Sequence, residues 1–466
     1  MVADSVTRRD CMPYVLGIHL GATATTAAIA RRDGSRWAAA VPVPLAAGPV
    51  VPTVLCKVQD GSFVAGEAAQ RQEITHHEWV ARGFTGRLGD DLPLLVGSEF
   101  IPAQRLVATM VEWVADAVAH RQGHPAEHIA IAHSATWGPH RTRLVHQALV
   151  QLGLTDVTLV AEPMAVALDY AAKQRVAEHE PIVIANVGGS GFDATVLRRR
   201  ERGFEVVGSP LNADHPSGQD LDDEIFAAVR AEFGDRLDAL DLADLNQRAA
   251  LAHLRAECVR AKEALSHQSG VQLRVELPGL RTEFALSRSR YEQLARPHLE
   301  RVPELILQAV QSATLSPDDL DSVVLAGGTA RTPLLKQLVA ERVQLPPQVD
   351  VAPELAAAGG AALAAVQVLS TDTDQGSVAE TSVLMRIEGP EESFDDDAEP
   401  VEAPRPPVDV EPLPLEPPDE DRARRIKIIK LSIAAVLIIG GLLLTYFLPN
   451  NAPLGGVLSA IQHMRQ

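Results

Sequence analysis

The chain has 466 residues, of which 46% are apolar and 22% charged, and its formal net charge at pH 7 is −19. So large an apolar fraction excludes a disordered chain, and the length is enough for more than one globular core. An acidic chain without a basic stripe also excludes nucleic-acid binding, because that binding depends on Lys and Arg displacing counterions from phosphates.

The first part of the chain alternates short apolar runs with helical patterns, which predicts an α/β fold. An apolar run, a glycine turn and a second apolar run occupy Val15–Thr26. Two further strand candidates, Ile129–His133 and Val157–Val160, each precede a helical pattern, at Arg141–Leu152 and Ala161–Ala172. The alternation continues to about residue 370, where we place the end of a globular domain that begins at residue 13.

The rest of this domain follows the same rhythm. In chain order the predicted elements are a strand–turn–strand at Ile182–Leu197, helices over about 221–233 and 245–266, a β patch at Val271–Leu277 and Thr282–Ala285, and a glycine turn at Val323–Pro333. The long helical stretch without strands predicts a helical subdomain at one edge of the sheet structure.

The three glycine turns are the strongest indication of a ligand. Glycine has no Cβ, so its backbone amide can approach a phosphate closely. Three such turns in one chain predict a duplicated nucleotide-binding core with two lobes that close over a nucleotide. The residues that we expect at the phosphates are Gly21, Thr23, Gly188, Gly189 and Gly191. Because ordinary hairpins also use glycine at positive φ, a purely structural role for them stays open.

Residues after about 370 have a different composition. Residues 371–425 lose the apolar periodicity, carry the acidic run Glu391–Asp397 and contain nine prolines, which predicts an acidic, proline-rich, disordered linker. The proline-rich stretches at 403–407 and 412–418 leave a docking peptide open as an alternative to a plain spacer.

An apolar segment follows the linker. Leu431–Leu448 carries no charge, and counted from Ile428 the segment has 21 residues, about 31 Å of helix, which is enough to cross a bilayer. We predict one transmembrane helix over 426–448 and a short extracytoplasmic tail over 449–466. Five Arg and Lys residues lie between 422 and 430, so the positive-inside rule predicts a single-pass cell-membrane protein with its large domain in the cytoplasm. The three cysteines lack CxxC spacing, which agrees with a reducing compartment.

Six sequence motifs occur in a specific order. They are VLGIHLGATATTAAIA, LVAEPMAVALDYA, IVIANVGGSGFDATVL, SGQDLDDEI, RAKEALS and VVLAGGTARTP, and AAAGGAALAA follows the last of them. With these motifs, residues 13–370 closely resemble the nucleotide-binding domain of the 70-kilodalton heat-shock chaperones, the DnaK-like proteins. The resemblance implies an actin-like fold, in which two lobes built on ribonuclease-H-like sheets bind ATP or ADP with Mg²⁺ between them. It does not extend to residues 371–466, where the family's peptide-binding part has no counterpart.

The resemblance also implies roles for single residues. These residues are Gly327, Gly328 and Arg331 in the family's adenosine motif, Lys262 and Ser266 on the helix that borders the adenosine, and Glu162 and Asp193, which remain of the family's acidic set and which we assign to the catalytic site. No protein-made metal site is predicted.

Three departures from the family pattern affect catalysis. The family holds hydrated Mg²⁺ with two carboxylates whose positions are taken here by His19 and Asn186, and Leu88 aligns with a lysine that the family presents to the γ-phosphate. Because phosphates and water supply most ligands of Mg²⁺, we expect its binding to be weakened. Each lost transition-state group commonly costs ~10²–10³-fold in rate, which predicts a very slow or absent ATPase. For His19, a general base, a metal ligand and a structural residue are all open.

The sequence therefore predicts a membrane-anchored, nucleotide-responsive chaperone-like module that binds an unidentified protein partner. One alternative is a membrane-tethered scaffold on the same fold that binds no nucleotide. Another is an active ATP-dependent chaperone that recruits its peptide-binding part from a different chain. Nucleotide binding, and then turnover, distinguish the three. Sugar kinases and cell-division filament proteins share the phosphate turns but lack the AEPMAVALDYA and RAKEALS pattern.

Overall fold

The apolar runs and glycine turns fold into two main sheets in a computed structural model, which describes residues 12–173, 175, 180–200, 203–373 and 385–386. All of these residues belong to the first of the two units into which the chain divides, Met1–Glu391. The predicted transmembrane helix at 426–448, the predicted tail at 449–466 and most of the predicted linker at 371–425 lie outside the described residues.

The described strands vary from two to eleven residues in length. In chain order they are β1 (Tyr14–Leu20), β2 (Ala24–Asp33), β3 (Arg36–Trp37), β4 (Val41–Pro42), β5 (Val50–Pro52), β6 (Leu55–Lys57), β7 (Phe63–Ala65), β8 (Val80–Ala81), β9 (Leu94–Val96), β10 (Glu99–Ile101), β11 (His128–His133), β12 (Val157–Ala161), β13 (Pro181–Val187), β14 (Phe192–Arg200), β15 (Gly203–Ala213), β16 (Gly270–Leu277), β17 (Leu280–Ser287), β18 (Ser322–Ala326), β19 (Gln348–Val349) and β20 (Met385–Arg386).

The described α-helices alternate with these strands. In chain order they are α1 (Glu67–Gln72), α2 (Ala103–Gln122), α3 (Pro139–Gln151), α4 (Glu162–Ala172), α5 (Gly218–Asp238), α6 (Leu245–Leu265), α7 (Arg288–Leu299), α8 (Arg301–Ser312), α9 (Pro333–Val343) and α10 (Ala356–Thr373).

The two main sheets share one topology. The first has the strand order β3-β2-β1-β11-β12 and the second has the order β15-β14-β13-β18-β19. In each sheet the central strand pairs antiparallel with the next strand of a hairpin and parallel with a later strand of the chain. We call the first sheet with its packed helices lobe I and the second lobe II. The repeated topology confirms the predicted α/β class and the duplicated, two-lobed core.

The strand register brings the polar residues of the glycine turns to one edge of each sheet. In lobe I, His19 near the end of β1 lies opposite Thr26 of β2 and next to Ala132 of β11. In lobe II, Asn186 near the end of β13 lies opposite Asp193 of β14. The carboxyl ends of parallel strands meet at the same edge of a sheet, so each lobe presents its glycine turn and its polar groups together.

Helix α10 packs unusually close to lobe I. A Cβ added at Gly17 of β1 would lie 2.1 Å from the backbone nitrogen of Ala362, and one added at Gly360 would lie 1.6 Å from the carbonyl oxygen of Ala165 in α4. Within the described residues, the segment Pro353–Ser370 is long and apolar enough to cross a membrane, but 56% of it is buried inside the molecule. Its contacts with β1 and α4 identify α10 as a core helix of the domain.

Several elements differ from the sequence-based expectation. The first predicted helix of the helical stretch is longer, because α5 starts at a capping box formed by Ser217 and Asp220 and continues past a kink at Phe233. Helix α10 extends three residues beyond the predicted domain end, and β20, which lies in the predicted linker, pairs antiparallel with β12. The part of the predicted linker that the structure describes thus contains regular secondary structure.

Candidate functional site

The three glycine turns come together at one place between the lobes. A Cβ added at Gly189 in the second turn would lie 2.2 Å from Oγ1 of Thr23 in the first turn. Thr329, which follows the glycines of the third turn, donates a hydrogen bond from Oγ1 to the carbonyl oxygen of Gly188 at 3.4 Å. Turns separated by more than a hundred residues in sequence are therefore in direct contact in the fold.

The first turn is fixed by hydrogen bonds from a neighbouring loop. Thr53 donates from Oγ1 to the carbonyl oxygen of Gly21 at 2.8 Å, and its backbone N–H donates to the carbonyl oxygen of Thr23 at 3.0 Å. The Gly21 N–H closes the turn by donating to the carbonyl oxygen of Ala24 at 3.0 Å. Thr53 therefore holds the turn rigid, a role that no sequence pattern indicated.

The second turn is joined to the start of α5. The carbonyl oxygens of Gly188 and Gly189 accept hydrogen bonds from the backbone N–H groups of Gly218 and Gln219, at 2.8 and 2.9 Å. The N–H of Gly188 donates to the carbonyl oxygen of Gly191 at 2.9 Å. These contacts place the turn beside the N-terminus of a 21-residue helix, whose dipole favours an anion at that end.

The structure gives a steric reason for glycine in these turns. Gly21, Gly188, Gly189 and Gly191 all lie outside the left-handed region of φ. Added Cβ atoms would instead meet neighbouring atoms, at 2.7 Å from the carbonyl oxygen of Ala24 for Gly21 and at 2.2 Å from Thr23 for Gly189. Close approach of neighbouring chain atoms, and not a left-handed backbone, therefore requires glycine at positions 21 and 189.

The third turn has two glycines with different surroundings. Gly327 has φ of +82°, and a Cβ added there would lie 2.4 Å from Oδ1 of Asn186, so only glycine fits. A Cβ added at Gly328 would meet no atom within 4 Å. Gly328 therefore faces open space beside the other two turns, which is where a flat ligand could lie against the backbone.

A polar cluster joins the two lobes next to the turns. Oε1 of Glu162, the first residue of α4, lies 3.1 Å from Nε2 of His19 and accepts a hydrogen bond from Nδ2 of Asn186 at 2.9 Å. Asp193 accepts a hydrogen bond from Nδ2 of Asn212 at 2.8 Å. Of the predicted catalytic pair, Glu162 thus bridges lobe I to lobe II, while Asp193 is held within lobe II.

The residues predicted at the adenosine make ion pairs within the protein. Lys262 donates to Oδ2 of Asp222 and to the carbonyl oxygen of Gly218, both at 2.8 Å. Arg331 makes two hydrogen bonds to Glu354, at 3.0 and 2.6 Å. The two cations are therefore neutralised by carboxylates that sequence reasoning did not identify as partners. Asp222 lies within the SGQDLDDEI motif, and this position in a motif is the signal by which the sequence could have identified it as a functional residue.

Two further residues from the sequence analysis have clear places. Ser266 is the C-terminal cap of α6 and is half-buried. Leu88 is fully buried in the hydrophobic core of lobe I. The position that we aligned with a phosphate-binding lysine is thus part of the core.

The comparison with known protein families is decisive. Residues 93–388, more than half of the chain, match the family model described as Hsp70 protein. The chain belongs to the Hsp70 family. It is similar to the chaperone protein DnaK of Thermotoga petrophila, with 28% identity over 373 residues, and to that of Thermosipho melanesiensis, with 27% identity over 372 residues. Each alignment covers 78% of this chain and 61% of the relative, so the chain spans about three fifths of the length of these relatives.

A third relative gives the same picture. The chaperone protein DnaK of Elusimicrobium minutum is 28% identical over 364 residues, which cover 76% of this chain and 58% of that protein. The described part of this Hsp70-family chain therefore has the actin-like, two-lobed fold of the family's nucleotide-binding domain.

Electrostatics in this Hsp70 cleft depend on Glu162. Burial disfavours a charge on His19 and on Glu162. The carboxylate of Glu162 nevertheless raises the pKa of His19, and His19 lowers the pKa of Glu162. Burial and the nearby Glu162 charge raise the pKa of Asp193 to about 6. His133, at the end of β11, is also buried, which lowers the pKa of its imidazole. The cluster therefore favours an ionised Glu162 with a protonated His19 beside it.

ATP and Mg²⁺, which the Hsp70 family binds, fit the cleft differently. The converging glycine turns fit a polyphosphate, because they lie beside the N-terminus of α5, whose dipole favours an anion. Mg²⁺ prefers oxygen ligands. His19 and Asn186 instead direct N–H groups to Glu162. Among the described residues, no group of three or more His, Cys, Asp or Glu could hold a metal ion. The donor set does not fit Mg²⁺.

Proposed function

We propose that this Hsp70-family chain is a membrane-anchored, nucleotide-responsive module with a degenerate catalytic site, and that its output is the binding of a partner protein. The convergence of the three glycine turns between the lobes carries the proposal. A ligand held by turns from both lobes favours the closed arrangement of those lobes, because it binds that arrangement more tightly than an open one.

The chain's own groups define how ATP would be held. Thr23 from lobe I and Gly189 and Gly191 from lobe II would bind the phosphates through backbone amides, and Gly327 and Gly328 would lie along the base. Gly21 and Gly188 would shape the two phosphate turns, since their own N–H groups close those turns by donating to Ala24 and Gly191. Bound ATP would supply a polyanion that both lobes contact at once. Lys262 and Arg331 would act indirectly, since their hydrogen bonds to Asp222, Gly218 and Glu354 fix the walls of the cleft.

Hydrolysis would be very slow or absent. Oε1 of Glu162 is already engaged by His19 and Asn186, which leaves it poorly placed to orient a water molecule. Phosphoryl transfer depends on positioning and on neutralising charge in the transition state, and the residue that aligns with the family's phosphate-binding lysine is the buried Leu88. This combination supports a protein that binds nucleotide and responds to it without rapid turnover.

Membrane anchoring and a cytoplasmic domain are also proposed from the sequence. The support is the uncharged segment at 431–448 and the basic residues between 422 and 430 that precede it, all of which lie outside the described residues. The linker at 371–425 would keep the domain at a distance from the membrane, and lobe closure would change the surface that a partner contacts.

The test is ATP binding by the full chain and by a variant that blocks the cleft without disturbing the fold. A Cβ added at Gly328 meets no protein atom within 4 Å, so we expect Gly328→Val to leave the thermal unfolding temperature unchanged. We expect it to weaken ATP binding by about tenfold or more, equivalent to about 1.4 kcal/mol. Gly138→Val is the matched control. A Cβ added at Gly138 also meets no atom within 4 Å, and Gly138 lies in extended backbone before α3. Equal ATP affinity of Gly328→Val and Gly138→Val would contradict the proposed site.

The second candidate is a scaffold that binds no nucleotide. It is favoured by the ion pairs of Lys262 and Arg331, which satisfy two cations without a ligand. The same titration separates the candidates, because the scaffold predicts no ATP binding by the folded wild-type chain.

A further inference from the structure

Two residues place N–H groups where the Hsp70 family's Mg²⁺ carboxylates stand. Nε2 of His19 and Nδ2 of Asn186 both lie within about 3 Å of one oxygen of Glu162, and they come from different lobes. Asn186 is fixed further, because its Oδ1 would lie only 2.4 Å from a Cβ at Gly327 and so packs directly against that glycine. With His19 and Asn186 in place of the family's two carboxylates, the cleft therefore contains a hydrogen-bonded network at the position of the metal site.

The imidazole of His19 lies directly against the first phosphate turn. A Cβ added at Gly21 would lie 3.3 Å from Cε1 and 3.6 Å from Nε2 of His19. The ring is therefore next to the turn whose backbone is expected to approach the phosphates, and it brings its charge to that place.

The change in charge has the sign that a missing metal would need and is one charge larger than the charge of the metal. Replacing two carboxylates with a histidine and an asparagine removes two negative charges from the cleft, and protonation of His19 adds one positive charge. Mg²⁺ contributes two positive charges. Because charges in a partly buried cleft interact several times more strongly than in water, the exchange offsets the loss of the ion.

We propose that this cleft binds the polyphosphate of a nucleoside triphosphate without a divalent cation, with His19 and Asn186 taking the electrostatic role of Mg²⁺. The inference rests on the proposed function, since it requires that the cleft bind nucleotide. The charged groups that face His19 are Glu162 from α4 and Asp193 from β14, and His133 of β11 is close to Glu162. The Glu162 and Asp193 carboxylates oppose the phosphates, and the protonated imidazole offsets one of them.

The experiment measures ATP affinity of the full chain in EDTA and again in excess Mg²⁺. For the wild type we expect binding in both conditions, with affinities within about threefold, a difference of roughly 0.7 kcal/mol. The variant His19→Asp with Asn186→Asp restores both carboxylates. We expect it to bind ATP at least about tenfold more weakly in EDTA and to recover when Mg²⁺ is added.

The matched control is His19→Asn, which removes the imidazole without adding a carboxylate. It should bind ATP somewhat more weakly than the wild type and show no response to Mg²⁺. Thermal unfolding of each variant reports folding independently of binding. If wild-type binding requires Mg²⁺, this inference is overturned and the proposed nucleotide site stands. If the folded wild type binds ATP in neither condition, the proposed function itself is overturned, and the inference with it.

Discussion

Glu162 is the residue on which the two lobes meet chemically. Its carboxylate accepts a hydrogen bond from Asn186 of lobe II and lies 3.1 Å from His19 of lobe I. A buried carboxylate is costly unless it is paired, and here His19 and Asn186 are its partners. These two side chains therefore stabilise Glu162 in its charged form.

Asp193 gives a prediction with a definite pH dependence. Its pKa is raised from 3.8 to about 6 by burial and by Glu162, so the folded protein carries the cost of its charge above pH 6 and loses that cost as the pH falls through 6. Because a tenfold change in an acid's ionisation constant corresponds to about 1.4 kcal/mol, Asp193→Asn should raise the free energy of unfolding by roughly 2–3 kcal/mol at pH 8. At pH 5 the gain should be smaller by about 1 kcal/mol.

Denaturant unfolding at the two pH values measures this difference. The side-chain oxygen of an asparagine at this position could still accept the hydrogen bond from Asn212, so packing is conserved. A loss of stability at pH 8, or an equal gain at both pH values, would show that the Asp193 charge does not oppose folding.

For single residues, the sequence predicted the positions that require glycine better than it predicted the partners of the cationic side chains. Gly189 and Gly327 follow from the need for close backbone approach, which a sequence motif encodes locally. The partners of Lys262 and Arg331 could not be predicted in the same way, because Asp222 and Glu354 are 40 and 23 residues away along the chain. Only the fold brings those charges together.

Helix α10 depends on glycine for its contact with α4. Gly360→Ala should destabilise the domain by about 3 kcal/mol, because the new Cβ would overlap the carbonyl oxygen of Ala165, which cannot move without shifting α4. Gly234→Ala in α5 is the control, since an added Cβ there meets nothing within 4 Å and alanine favours helix. Thermal unfolding of both variants tests this, and a stable Gly360→Ala variant would contradict the close packing.

Helices α5 and α6 are linked through a largely buried ion pair between Lys262 and Asp222. Lys262→Met should cost about 3 kcal/mol of unfolding free energy, because Asp222 would lose its partner. Burial already raises the pKa of Asp222. The double variant Lys262→Met with Asp222→Leu should recover part of the loss, because it removes the unpaired carboxylate. Denaturant titrations of the wild type, Lys262→Met and the double variant measure these differences. Equal stabilities of Lys262→Met and the wild type would show that the ion pair does not stabilise the contact between α5 and α6.

The alternation of long elements could be predicted, and the small ones could not. Helix α6 and strands β1, β13 and β18 follow from apolar periodicity and from buried β-branched runs. Strands β3 to β10 contain only two or three residues each and carry no periodic signal. They form by pairing with other strands, as Cys56 of β6 does with Val64 and Val80.

The described part of the chain contains a duplicated core, whose two halves meet at the glycine turns and in a shared hydrophobic cluster. The order of six motifs in the sequence was sufficient to predict this architecture, because the motifs carry the resemblance to the heat-shock chaperones that implies it. A second polar link joins the lobes where Lys173 donates to Asp169 of α4 and to Asp350 after β19, both at 2.5 Å.

The most direct measurement is a calorimetric titration of ATP into the full wild-type chain, whose fold is first shown by cooperative thermal unfolding. We predict one binding site per chain with a dissociation constant in the micromolar range or tighter, which corresponds to about −8 kcal/mol or more. A folded chain that releases or absorbs no heat over this range, and whose unfolding temperature does not change with ATP, would contradict a nucleotide-responsive cleft and leave the scaffold as the account of this fold.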